Sequence, residues 1–269
     1  SSDLGFIRRA HELRTNASPR EVLWIEAYHS FITGTKPEKE RAGELVTALE
    51  RIIHEHPGEL EARAFLAFQV WFNENEGLPL GSRQAVDALI SEVLSAEPLH
   101  PVHHARIHLW DSSKPSRALQ SAARCGQSAA GIAHMWHMPG HTYSGLKRYD
   151  DAAWQQEASA RVDHAHMMAA RILPDQIHNF AHNNQWLCQN LLYCGRVREA
   201  VDLARNMIEL PRHPAYNTLN RKEDKTAYEK NMGSSMQGRR RLFGALLDYE
   251  LWPELIALAE TTYLEPTDL

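Results

Sequence analysis

HMWHMPGHTYSGLKRYDDAAWQQEAS, residues 134–159, is the stretch on which the reading of the chain turns. His134, His137 and His141 stand at i, i+3 and i+7, a spacing that puts three side chains on one face of a helix. Working outward, helix-period patterning rich in alanine, leucine, glutamine, glutamate and arginine runs over about residues 18–264, and no convincing alternation of strand type interrupts it. The expected fold class is all-α. Pro37, Pro57-Gly58, Pro79, Pro98, Pro101, Pro115, Gly126, Pro174, Gly195, Pro211 and Pro253 cut the pattern into segments of a dozen or more residues, as short turns between helices do.

The pattern also repeats. In the quoted stretch Trp136, Gly140 and Tyr143 precede Arg148-Tyr149-Asp150-Asp151-Ala152, and from about Asn179 a second copy runs through Gly195-Arg196-Val197-Arg198-Glu199-Ala200 to Pro211. These residues resemble a tetratricopeptide (TPR) repeat: an early aromatic, a close-packing glycine, a tyrosine three residues on, and a turn into the second helix. Lys147 replaces the usual turn glycine and Ser159 the usual alanine in the first copy, while Asn184 and Cys188 replace the aromatic and the glycine in the second. Weaker copies cover residues 24–57, 60–98, 100–126 and 227–266. The resemblance implies about six helix pairs in a right-handed α-solenoid, a single superhelical domain over residues 1–269, with the first helix of each pair lining a concave groove. Residues 212–230, RHPAYNTLNRKEDKTAYEK with its flanks, are too polar and irregular for another packed pair and read as a long loop or lid between the fifth and sixth pairs.

Most of the 16 histidines crowd into residues 100–182. His104 and His108 stand at i, i+4, as do His178 and His182. Each set falls on the first helix of the third, fourth or fifth pair, and two imidazoles one turn apart can lean onto a single ion. The candidate ligands are therefore His104, His108, His134, His137, His141, His178 and His182. His103 competes with His104 for the inward position, whereas His164 and His166, at i, i+2, point apart and read as cap or supporting residues. An all-imidazole site without thiolates suits copper, zinc, nickel or ferrous iron and disfavours calcium or magnesium. Three ligands leave a position for water or substrate, which fits oxidative chemistry at copper or iron or metal-assisted hydrolysis at zinc. Asp111, Asp163 and Asp175 are candidates to orient an imidazole N–H or to act as a base.

Other features are read more plainly. Cys125, Cys188 and Cys194 lack CxxC spacing and read as small buried hydrophobes. Trp110, Trp136, Trp154 and Trp186 accompany the histidine helices and read as core ahead of groove walls, Asn179, Asn183 and Asn184 as turn anchors or ligand contacts, and Arg239-Arg240-Arg241 as a solvated face ahead of one or two groove-facing cations for a carboxylate or phosphate. A net charge of -5 gives no basic footprint for nucleic acid, and no run approaches a membrane span. No G-x-S-x-G elbow, Walker loop, dinucleotide fingerprint or HExxH is present. The rival to a metal site is an interaction scaffold whose groove takes a peptide or partner helix, and a third reading has histidine as acid or base for a small-molecule substrate without metal. Because the sequence opens almost directly into helix, it reads as a trimmed piece of a longer chain. The blocks HPVHHARIHLWD and HMWHMPGHTYSGLKRYDDAAW further resemble a histidine-rich bacterial branch of TPR-like proteins with a His-Met-Pro-x-His-x-Tyr segment and no settled activity. That resemblance implies additional domains and inclines the setting toward the extracytoplasmic side.

Overall fold

Ser18 shows how the chain starts its helices. Its hydroxyl accepts from the Glu21 backbone N–H while the Glu21 carboxylate takes the Ser18 N–H at 2.8 Å, a capping box, and Pro19 at the first helical position has no N–H to leave unpaired. The computed structural model describes residues 2–211, 233–259 and 261–264, without the side chains of residues 2, 3, 75, 175 and 178. Among the described residues every regular element is helical, and no helix is long and apolar enough to cross a membrane. The loop expected at 212–230 lies outside the described residues.

The chain divides into two compact units, Ser1–Leu109 and Trp110–Leu269. The first contains α1 (Ser2–Glu12), α2 (Pro19–Thr33), α3 (Glu38–Glu55), α4 (Leu60–Asn75) and α5 (Arg83–Ala96), and α6 (His103–Trp110) runs to its boundary. From α1 to α5 each helix packs on the next. Leu45, Leu49, Ile52 and Leu66 are buried between α3 and α4 with Ala27 of α2, and each large side chain so buried contributes roughly 1.5–3 kcal/mol over its exposed state.

The second unit holds α7 (Leu119–Ser128), α8 (Ala133–Gly145), α9 (Tyr149–Ala170), α10 (His178–Tyr193), α11 (Val197–Glu209), α12 (Ser234–Asp248) and α13 (Trp252–Leu258). Each packs on its successor, and α10 also touches both α8 and α12. Leu187, Leu191, Met207, Leu242 and Leu246 fill the core that α10, α11 and α12 share.

Four turns in this unit close in one way: at the end of α9, Ile172 N–H bonds the Met167 carbonyl at 3.1 Å after a left-handed Arg171 with φ of 55°, and three more follow. Arg148 N–H bonds the Tyr143 carbonyl, Arg196 N–H the Leu191 carbonyl and Leu251 N–H the Leu246 carbonyl, each at 2.9 Å and each reaching back five residues. The residue before each donor, Lys147, Gly195 or Glu250, is left-handed with φ of 59, 74 or 53°. Such a turn satisfies carbonyls that a helix end leaves open, and glycine enters it without strain. Arg148 and Arg196 then bond Asp151 and Glu199 three residues on. In the first unit Gly77, at φ 77°, and the Leu78 N–H to Asn73 carbonyl bond repeat the device. Of these positions, Lys147 and Gly195 are the two read from the sequence as turns.

Candidate metal centre

α8 is buried on most of its surface, with Met135, His137, Met138, Pro139, Thr142 and Tyr143 all inside. His137 and His141, one turn apart, lean together until their Nε2 atoms are 2.8 Å apart, their rings meeting edge to face. From α10, His182 brings its own Nε2 to 3.1 Å from that of His137. The three nitrogens lie within 4.8 Å of one another. Around a tetrahedral ion with nitrogens at about 2.05 Å, neighbouring ligand atoms stand about 3.3 Å apart, so a small outward adjustment of these rings would admit one.

The innermost candidate ligand is held from behind. Gln156 of α9 donates its amide Nε2 to the His137 carbonyl at 3.3 Å, which turns Oε1 toward His137 Nδ1 at 2.6 Å. On this network Nδ1 carries the proton and Nε2 presents a lone pair to the other two imidazoles. Gln156 reaches this place because residue 140 has no side chain: a Cβ there would sit 2.1 Å from the Gln156 amide nitrogen. The glycine expected to serve close helix packing therefore also makes room for the amide that orients a candidate ligand.

His137 is fully buried, and burial, followed by the neighbouring His141 and His182, pushes its pKa down to about 2. It is a neutral imidazole at any physiological pH, the form that binds metal. Three imidazoles aimed at one point also conflict without an ion, since the single His137 Nε2 lone pair must serve two neighbours. A cation would use all three lone pairs at once. Trp186 of α10 walls the cluster, its ring 4.7 Å from that of His141.

The remaining candidates divide. His134 stands beside the cluster, its ring nearly parallel to that of His137 with centroids 5.7 Å apart, and is not one of the three converging ligands. In the first unit His104 and His108 make a pair like that of α8, with Nε2 atoms 3.1 Å apart, and the ring of Trp71 stacks on His108 at 4.3 Å. His103 turns to packing instead: it is buried with Nε2 3.0 Å from the Pro98 carbonyl. The side chains of His178 and Asp175 lie outside the described residues. His164 and His166 are exposed.

Asp163 takes a different part from the orienting one considered for it. Buried on α9, it accepts from Asn183 Nδ2 at 2.7 Å and ties α9 to α10, and burial lifts its carboxyl from the ordinary 3.8 to about 6 against the opposing pull of that bond. The orienting role belongs to Gln156, which no spacing or charge in the sequence singles out. Asn184 bonds the Phe180 carbonyl within α10. Cys125 and Cys188 are buried as expected and Cys194 is half-buried.

Two expectations are corrected. Trp154 is not core: it is 58% exposed, resting edge-on against Trp136 at the surface. The arginine run is not a uniformly solvated face either. Arg239 is buried with Nε on the Thr262 carbonyl at 2.8 Å, and Arg241 is half-buried against α10. No family model matches the chain, and no curated protein matches it.

Proposed function

We propose that this protein binds one transition-metal ion through Nε2 of His137, His141 and His182, within a TPR-like repeat fold. The observation that carries the reading is the convergence of three imidazole nitrogens from two helices, with the most buried held in its ligand tautomer by Gln156. Imidazole ligation favours zinc, copper or iron over calcium or magnesium. No fourth histidine, cysteine or carboxylate joins the three among the described side chains, which suits a centre that keeps a position for water or substrate. Bound there, such an ion would act as a Lewis acid and lower the pKa of a coordinated water, or, if copper or iron, support redox chemistry. The protein's part is to keep His137 neutral, to fix its ring through Gln156, and to shield one side of the centre with Trp186. The repeat reading is supported by the recurrent left-handed turns at Gly77, Lys147, Gly195 and Glu250.

The test is elemental analysis by plasma mass spectrometry on untagged protein before and after chelation, with the His137→Ala, His141→Ala double variant beside it. One ion per chain in the wild type, absent from the variant, is the expected result. Wild-type protein that carries no metal and takes up none from zinc, copper or iron solutions would end the proposal.

A partner-binding role has one observation in its favour. Phe65, Phe68 and Phe72 stand exposed on one face of α4, apolar surface that an extended peptide could cover. A Phe68→Asp variant that loses a peptide retained by the wild type would support it, and a peptide library with no binder would remove it.

A further inference from the structure

On α10, Gln185, Trp186 and Gln189 stand three, four and seven residues after His182 and so share one stripe of the helix with it. At one end of the stripe is the third imidazole of the candidate metal centre; next to it is the indole that walls His141. At the other end a cation arrives from α12. Arg241 Nε donates to Gln185 Oε1 at 3.2 Å, and its two terminal nitrogens donate to the same Gln185 oxygen and to Gln189 Oε1.

Those partners are neutral. Arg241 is half-buried, and desolvation of its charge draws its pKa down against the smaller opposing effects of Cys188 and Tyr193. No carboxylate pairs with it among the described residues. A partly buried cation without a counter-charge is costly, and proteins ordinarily pair such groups. Two of the five guanidinium N–H groups remain beyond the three bonds to glutamine, the number a two-oxygen anion takes in a forked contact. The amides hold the guanidinium in place without neutralising it. With a rise of about 1.5 Å per residue, Gln185 and Gln189 lie about 4.5 and 10.5 Å along α10 from His182, the span of a small organic molecule.

We propose that Arg241 is the anion-recognising end of a small-molecule site whose ligand carries a carboxylate, lays an apolar or aromatic stretch along Trp186, and reaches the metal centre with its far end. Only the last clause rests on the metal reading; recognition of the carboxylate does not. A carboxylate fits better than a phosphate, because one guanidinium with two remaining donors matches a planar monoanion and no second cation of the stripe would balance a dianion.

The test uses the whole chain as purified. Benzoate, 3-phenylpropionate and hexanoate are titrated by ligand-observed NMR against the wild type, Arg241→Gln and Arg241→Lys. Benzyl alcohol, 3-phenylpropanol and hexanol serve as uncharged counterparts, and inorganic phosphate as competitor. Metal content and far-UV circular dichroism are recorded for each variant. At least one acid should bind while its alcohol does not, and Arg241→Gln should weaken it by about tenfold or more, with the lysine variant, which keeps charge but not the fork, between the two. Metal content should be equal in all three proteins. If no acid is preferred to its alcohol, if binding is equal in folded Arg241→Gln or Arg241→Lys, or if phosphate displaces the acid at lower concentration than the acid itself binds, the proposal is overturned. Acid binding through Arg241 in a protein that takes up no metal would remove the metal reading and leave carboxylate recognition standing. A metal-loaded protein indifferent to Arg241 would do the reverse.

Discussion

The histidine pairs on α6 and α8 are close to copies of each other. In both, residues at i and i+4 put Nε2 atoms about 3 Å apart, with ring centroids 4.6 Å apart and rings nearly perpendicular. What surrounds them differs. Within its own unit the α6 pair is walled by aromatic rings, Trp71 on His108 and Phe68 beside His104. The α8 pair is joined by His182 from another helix, and its inner member is held from a third by Gln156. Helical spacing by itself makes two leaning imidazoles; in the α8–α10 cluster α10 adds a third and α9 sets an orienting amide behind the innermost.

The largest effect should come from breaking the two pairs separately. His137→Ala with His141→Ala should weaken the tightest bound ion by more than the roughly 100-fold that losing a supporting hydrogen bond can cost, whereas His104→Ala with His108→Ala should leave that ion within a few-fold. Equal losses in a competitive metal titration would mean that the pairs do not differ as their surroundings suggest. Removing only the support is the next step. Gln156→Leu should lower metal affinity by about 10- to 100-fold at unchanged helix content, and Gly140→Ala should do the same to a smaller degree by pushing the amide aside.

Acidity sharpens the comparison further, because the Asp163–Asn183 bond ties α9, which carries Gln156, to α10, which carries His182. The unfolded carboxyl ionises near 3.8 while the folded one holds its proton to about 6. Stability from this group is therefore complete below about pH 4, falls as pH rises toward 6, and stays lower by on the order of 2 kcal/mol above it. Asp163→Asn keeps an acceptor for Asn183 and has no proton to lose, so chemical denaturation should find it level with the wild type near pH 4 and more stable at pH 8. The smallest effect is at the turns. Lys147 takes the left-handed conformation that Gly77 and Gly195 adopt freely, so Lys147→Gly should stabilise by about 0.5–1 kcal/mol in thermal unfolding, and Gly77→Ala should destabilise by at least as much.

Most of this architecture is written locally. Proline and glycine positions mark the helix ends, and the turn at Lys147 is readable despite the missing glycine because its flanking Arg148 and Asp151 keep the pattern of Arg196 and Glu199. The meeting of His137 and His141 follows from spacing. The choice of His182 over His134 as the third member does not, since spacing shows which residues share a face but not how that face is turned toward its neighbour. Gln156 and the Gln185–Arg241–Gln189 bridge were not legible for a related reason: a glutamine on a helix looks like any solvated residue until the groups opposite it are known. Trp154 misled because tryptophan is usually buried, and here α9 turns it outward with its ring edge-on to Trp136.

His137 is sealed while His141 and His182 are only half covered, and that asymmetry gives the candidate centre an inside and an outside. An arriving ion would meet the two outer rings first and settle on the inner one last; a departing ion would have to retrace that order. Exchange would then run at the pace at which the outer rings swing open, so residence time and affinity could be tuned by different residues.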